Sequence, residues 1–367
     1  GDVLWDTSDL PFEAQGPDET WPLGRHFEGL GWVVMRSGWD PDATHSIFNC
    51  GNQYYGHQHA DENSFVIFKK GTLAIDSGRY EWGSDHRGNY MARTIAHNTI
   101  LVYNRDEVFK SGSTEYVNDG GQKWPRSMPP SYQDLDGTGY DMGDITRFET
   151  NRWYSYACGD ATRAYSADKM KLFTRQYIHI QPDAFVVFDR VIATSANYKK
   201  YWLLHTMNEP EIDGNVVRIH EREGQLFTRT ILPENAGIRK VGGRLHAFDV
   251  FGVNYPPAGT HYAERTGEER GSWRIEVTPA EEAEEDFFLH LLVAGDSTLS
   301  SIPEAALTKS SEERGLSFTY NGLEYEILFN TTGDTAGHIR INDPASGVLL
   351  DRALTEEVQP QEGIGRL

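Results

Sequence analysis

The sequence predicts an all-β chain, a large antiparallel β super-sandwich followed by a small C-terminal β-sandwich. Three observations carry this. Between residues 146 and 295, short runs such as RFETNRWYSYACGD, KLFTRQYIHI, AFVVFDRVIA, KKYWLLHTM, QLFTRTIL, SWRIEVTP and DFFLHLLVAG recur at close intervals. Many alternate polar with apolar or aromatic side chains, which suits antiparallel sheets stacked face to face. Helical periodicity is nearly absent: the acidic PAEEAEED, residues 279–286, is the one helix-like piece and reads equally as a solvated loop. Finally, 367 residues with 38% hydrophobic and 12% aromatic content can bury a large core.

Taken in order, residues 1–25 are rich in Pro, Asp and Glu without a period, an irregular lead-in. HFEGLGWVVMRSGW, residues 26–39, is a β-type run ending in a turn at Trp39-Asp40-Pro41-Asp42, and THSIFNCG is the next strand. After the polar loop GHQHADEN, the runs SFVIFKKG and TLAIDSG form a hairpin turning at Lys69-Lys70-Gly71, and His97 opens the strand HNTILVYN. Residues 105–145 carry glycine, proline and aromatics without a period, the pattern of a long excursion over a surface groove. A composition shift after residue 296 closes the main β domain, residues 26–296. The runs GLSFTYNGLEYEILFNTT and GHIRINDPASGVLLDRAL then supply about four strands for the small domain, residues 297–367.

Composition narrows the partners. A formal charge of −21, from 34 basic and 55 acidic side chains, argues against nucleic acid and against an anionic membrane surface. No run of about 18 apolar residues exists, so no transmembrane helix is expected. Cys50 and Cys158 are expected as two free thiols. The start at Gly1, with no signal peptide, reads as a processed, tagged or excised chain.

Residues 54–99 are the segment densest in chemistry. His57 and His59, at i and i+2 of a segment taken as extended, face one way. Asp76 ends a hairpin strand and His97 begins a later one, so three antiparallel neighbours would bring His59, Asp76 and His97 together. Two imidazoles and a carboxylate suit zinc, leaving a fourth position for water or another ligand. Hydrogen-bonded core histidines are the alternative on spacing alone. His205, on the buried-looking run YWLLHT, reads as such a core histidine.

The order of motifs, GHQHADENSF, then GTLAIDSGRY, then ARTIAHNTILV, with VVMRSGW upstream and KKYWLLH, SWRIEV and FFLHLLV downstream, resembles the C-terminal β portion of the heparinase II/III-like polysaccharide lyases. These include heparin, heparan sulfate and oligoalginate lyases. The resemblance implies that His59, Asp76 and His97 are zinc ligands. It implies that His57 lines the cleft as a catalytic residue, with orientation of His59 as its other reading. Tyr80 matches a tyrosine used near the scissile bond, its other reading being a cross-strand aromatic. The family usually carries an N-terminal α/α-toroid that supplies a tyrosine and a histidine or asparagine to the cleft. No helical region of that size precedes the β part in this sequence, so a toroid domain or chain is an expected partner.

An anionic polysaccharide or oligosaccharide is the expected ligand, with an extracytoplasmic chain, periplasmic or secreted, as the expected setting. Within an acidic protein such a ligand needs a local basic lining. Arg36, Arg79, Arg87, Arg93, Lys123, Arg126 and the pair Lys199-Lys200 are available, with Arg79, Arg93 and Arg126 placed nearest the sugar. Trp124, Tyr132 and Tyr140 in the long loop offer faces for stacking on sugar rings, Trp124 first among them. The activity this implies is β-elimination from a uronic-acid polymer such as alginate or heparan sulfate. A non-catalytic carbohydrate-binding or scaffold module is the alternative, and a zinc hydrolase using metal-bound water the third reading.

Overall fold

A computed structural model describes residues 21–54, 57–81, 83–111, 113–123, 129, 135, 137–257 and 271–354. Expectations for residues 1–20, Trp124, Arg126 and Tyr132 fall outside them. Among the described residues the strands gather into four main antiparallel sheets in three layers.

The middle layer is an eight-stranded sheet in the order Glu211–Asp213, Val216–Glu221, Gly224–Leu232, Glu285–Asp296, Ala184–Ala193, Met170–Ile180, Tyr154–Asp160, Asp144–Thr150. Its central strands are apolar on both faces. In Ala184–Ala193, Phe185, Val187 and Val191 enter one core, while Ala184, Val186 and Phe188 enter another. That is why AFVVF runs apolar without alternation: a strand covered on both sides has no solvent face to make polar.

On one side lie two sheets. A five-stranded meander runs Gly24–Phe27, Trp32–Arg36, His45–Asn49, Ser64–Phe68, Thr72–Ala74, and a four-stranded sheet has the order Gly237–Gly242, Trp273–Thr278, Lys199–Thr206, Ile100–Tyr103. The run read as one β segment from residue 26 is thus two strands folded back at a 3-10 turn, Glu28–Leu30, with Phe27 opposite Trp32. Gly31 sits at φ 67°, and a Cβ there would lie 2.2 Å from the Cys50 carbonyl oxygen, so the turn requires glycine.

The other side of the middle sheet carries the five C-terminal strands, Ala305–Lys309 through Gly347–Leu354, paired in sequence order. They form their sandwich with the middle sheet itself: Phe329 stacks on Phe188 at 4.7 Å and 3°, and Leu316, Ile327, Ile339 and Ile341 share a core with Ile178, Leu289 and Leu291.

Three expectations need correction. Residues 105–145 contain a short hairpin, Phe109–Ser111 with Thr114–Tyr116. Of the two readings of the acidic run 279–286, helix and solvated loop, the helix is the one that fails: the run is irregular until the strand Glu285–Asp296 begins, its glutamates facing solvent rather than an apolar neighbour. The strands flanking the histidine motif are not three antiparallel neighbours, because Thr72–Ala74 and Ile100–Tyr103 belong to different sheets. Cys50 and Cys158 are free, buried thiols, and no described helix is long and apolar enough to cross a membrane.

Candidate functional site: a His/Asp cluster at the seam of two sheets

The five-stranded and four-stranded sheets meet without sharing a ladder, and the site occupies that seam. Ile75 N donates to His205 O across it at 3.2 Å. Asn98 fastens it further: its Nδ2 donates to Phe65 O (2.7 Å) and Ile75 O (3.1 Å), and its Oδ1 accepts from His205 N (2.7 Å). Arg175 Nη1 donates to Asn63 O (2.7 Å) and Asn98 O (2.6 Å), the chain segments beside Asp61 and His97. Its other guanidinium nitrogens make a bidentate pair with Asp189 at 2.6 and 2.7 Å, both side chains fully buried.

Three donors converge here. One ligand atom each from Asp61, Asp76 and His97 lies within 4.8 Å of the others. Asp76 follows the end of strand Thr72–Ala74, and His97 follows the 3-10 turn Thr94–Ala96. His97 Nδ1 is 3.1 Å from Asp76 Oδ1. His97 has no solvent exposure, and neither ring nitrogen finds a hydrogen-bond partner of normal geometry. An imidazole buried with both nitrogens unsatisfied against two carboxylates is a poor core residue and a good cation ligand. The His59 ring lies 5.1 Å from that of His97, centroid to centroid. Residues 57–60 form a turn rather than an extended strand, so His57 and His59 reach different partners. His57 is exposed and stacks on Tyr80 at 5.9 Å and 26°, while 51% of Tyr80 remains open to solvent.

Electrostatics favour the ligating forms of His59 and Asp76 and oppose those of Asp61 and His97. Burial, reinforced by His97, pushes His59 down to about 3, so it stays neutral with a lone pair at neutral pH. Burial alone would raise Asp76, but the charge of His97, 3.1 Å away, and then His59 bring it below the usual carboxylate range. Burial lifts Asp61 to about 6, opposed by His97 and aided by Asp76. Burial opposes the charged form of His97, but Asp76 beside it, with Asp61, carries its pKa above the ordinary imidazole value, so a cation bound there would displace a proton.

The loop that carries the motif is held at both ends. Gly51 N donates to the buried Glu62 carboxyl at 2.5 Å, and Ala60 is fixed by its N to Ala92 O (3.1 Å) and by Thr94 Oγ1 to its carbonyl (2.7 Å). The expected basic lining is largely inside the protein. Arg93 has no exposure and pairs with Asp119 at 2.5 Å while lying over the Phe109 ring. Arg79 is buried with Glu81 3.9 Å away. Neither presents its charge on an open wall, a correction to their expected contact with a sugar; burial costs each guanidinium its hydration, which the neighbouring carboxylate offsets in part. Lys200 is likewise buried on Asp286. Arg87 is buried near Tyr80 and His59, and Arg36 lies against His45 and over Trp39. His205 is the satisfied core histidine expected, with Nε2 2.9 Å from Ile95 O. Asp61 was not singled out in the sequence, because HADEN offers two adjacent acids and nothing local says which turns inward.

The family model described as heparinase II/III-like, C-terminal, matches residues 21–287. The chain belongs to this family. A heparin-sulfate lyase of Bacteroides stercoris is 26% identical over 119 residues, 31% of this chain and 18% of that protein. Among solved structures, heparan sulfate lyase HepC from Pedobacter heparinus superposes with a TM-score of 0.58 at 16% identity, covering 88% of this chain and 44% of that one. Heparinase III superposes with a TM-score of 0.55 at 16% identity, covering 84% of this chain and 42% of that one. At those identities the structures establish a shared all-β fold. The chain spans less than half the length of these relatives.

Proposed function

We propose that this chain is the β-rich part of a polysaccharide lyase that cleaves a uronic-acid-containing polysaccharide, of the heparan sulfate or alginate kind, by β-elimination around a structural zinc site. The observation that carries the reading is the convergence of Asp61, Asp76 and His97, with the His59 ring 5.1 Å from that of His97 and the stacked pair His57 and Tyr80 on the same two chain segments. Imidazole nitrogens and carboxylate oxygens are zinc donors; Asp61, Asp76 and His97, with His59 beside them, would hold such an ion, which would supply a fixed positive centre. The residues that touch substrate are the neighbours of that set.

Elimination removes the proton α to the uronate carboxylate and expels the 4-linked oxygen. His57 and Tyr80 are the two groups here able to accept and return a proton at an open surface. Tyr80, as its phenolate, takes the α-proton and returns it to the departing 4-linked oxygen, while His57, stacked beside it, stabilises the carboxylate whose charge grows as the proton leaves. Neutralising that charge calls for further donors, and the remaining length of the relatives leaves room for a second, toroidal domain to bring them.

The test is turnover of heparan sulfate and alginate, followed by the ultraviolet absorbance of the unsaturated product, for the chain alone and for it joined to the rest of its full-length protein. The reading expects the joined form to act, and Tyr80→Phe and His57→Ala each to lower kcat by about 100-fold or more. Sugar binding with no unsaturated product in either form would leave a non-catalytic carbohydrate-binding module.

A further inference from the structure

The turn that carries Tyr80 is not part of any sheet, yet the backbone one residue before Tyr80 is held by an imidazole on a different segment. His86 is 1% exposed. Its Nε2 lies 3.0 Å from Arg79 N, and its Nδ1 lies 2.5 Å from Tyr255 O. The backbone N–H of Arg79 can only donate and the carbonyl of Tyr255 can only accept. Nε2 therefore bears the lone pair and Nδ1 the proton: the ring is neutral, in one tautomer, with both nitrogens used. The ring plane is set as well. Tyr90 stacks on it at 5.7 Å and 24°, and Phe248 meets it edge-on at 4.8 Å and 80°.

The turn is shaped to this ring. Gly78 has φ 100°, and a Cβ there would sit 3.1 Å from His86 Nε2 and 3.0 Å from the Met91 side chain, so only glycine lets the chain lie this close. On the other side of Gly78, Ser77 Oγ donates to Gly271 O (2.8 Å) and accepts from Tyr90 Oη (2.9 Å). Tyr90 thus touches both fixings. The hairpin Asp249–Val250 with Val253–Asn254, which presents Phe248 and Tyr255, is tied through the ring to the backbone one residue before Tyr80.

We propose that His86 is a positioning residue for Tyr80: as a neutral Nδ1–H imidazole it bridges the Tyr255 carbonyl to the Arg79 amide and thereby sets where Tyr80 stands against His57. Its importance for turnover rests on the reading of Tyr80 given above; the bridge itself does not.

Nitrogen-detected NMR of the chain reads the bridge directly. The expected result is a protonated Nδ1 and a bare Nε2 on His86; an Nε2–H tautomer or an imidazolium at neutral pH would overturn it. Amide exchange gives the second arm. In His86→Leu the Arg79 amide should exchange about tenfold faster or more, with core amides at Leu73 and Ile100 unchanged. If His86→Leu loosens the core as well, His86→Gln decides. Its side-chain carbonyl can accept from Arg79 N while its amide donates to Tyr255 O, so Arg79 protection should return. Protection absent in the Gln variant with the core intact, or retained in the Leu variant, counts against the bridge. Failure of Tyr80→Phe to lower turnover would instead remove the role of Tyr80 and leave these readouts as they are.

Discussion

His97 has the least comfortable environment of any described side chain at the site: no exposure, no hydrogen bond of normal geometry, and two carboxylates at hand. Elemental analysis should therefore find close to one zinc per chain in the native protein and almost none in His97→Ala. Asp61→Asn keeps the shape and removes the charge, and should weaken zinc binding by about 10- to 100-fold in a competition titration; unchanged affinity would leave Asp61 outside the ligand set. A different residue gives the pH prediction. His179, remote in the middle sheet, donates from Nε2 to Pro182 O (2.8 Å) and stacks on Phe185, and burial pushes it down to about 4. Its pKa is lower folded than unfolded, so the unfolded chain binds the extra proton and stability falls as pH drops from 6.5 towards 4, by on the order of 3 kcal/mol for this one group. Denaturant unfolding of His179→Phe across that window should show a slope smaller by about one proton than the native protein.

At the scale of elements, the site depends on fastenings between strands that share no ladder. Arg175 reaches from strand Met170–Ile180 to the carbonyls of Asn63 and Asn98 and is neutralised by Asp189 on the next strand. Arg175→Met leaves Asp189 buried without its partner and should cost about 3–5 kcal/mol in chemical unfolding, with weaker zinc binding in whatever remains folded. The sequence made part of this legible. Residues 64–74 read as a hairpin and fold as one, because the two apolar runs flank a Lys-Lys-Gly turn. The motif residues Asp76 and His97 also read correctly as neighbours. What could not be read was the means: pairing along strands is local in pattern, whereas the seam is made by Asn98, His205 and Arg175, polar residues whose partners across it lie 23 to 130 positions away. The buried fate of Arg79 and Arg93 escaped for the same reason, since Asp119 stands 26 residues from Arg93.

At the scale of the whole molecule, the all-β class followed from strand-like runs and missing helical period, while the number of layers did not. Uninterrupted apolar strands such as AFVVF signalled burial on both faces, but which later strands would cover the second face is set by packing over more than a hundred residues. The C-terminal sheet is that cover. Phe188→Ala should cost about 3–5 kcal/mol by emptying the space under Phe329. Deleting the five C-terminal strands should give an aggregating chain rather than a smaller soluble one, as judged by light scattering.

Strand Ala184–Ala193 finds its hydrogen-bonded neighbour in Glu285–Asp296, a stretch the ribosome delivers about a hundred residues later. Until then the open edge of a largely apolar strand stands unpaired, so productive folding waits on late synthesis and leaves a long interval in which a chaperone has something to hold. Nascent chains arrested at residue 280 should accordingly stay protease-sensitive throughout the middle sheet, and those arrested beyond the last strand should not.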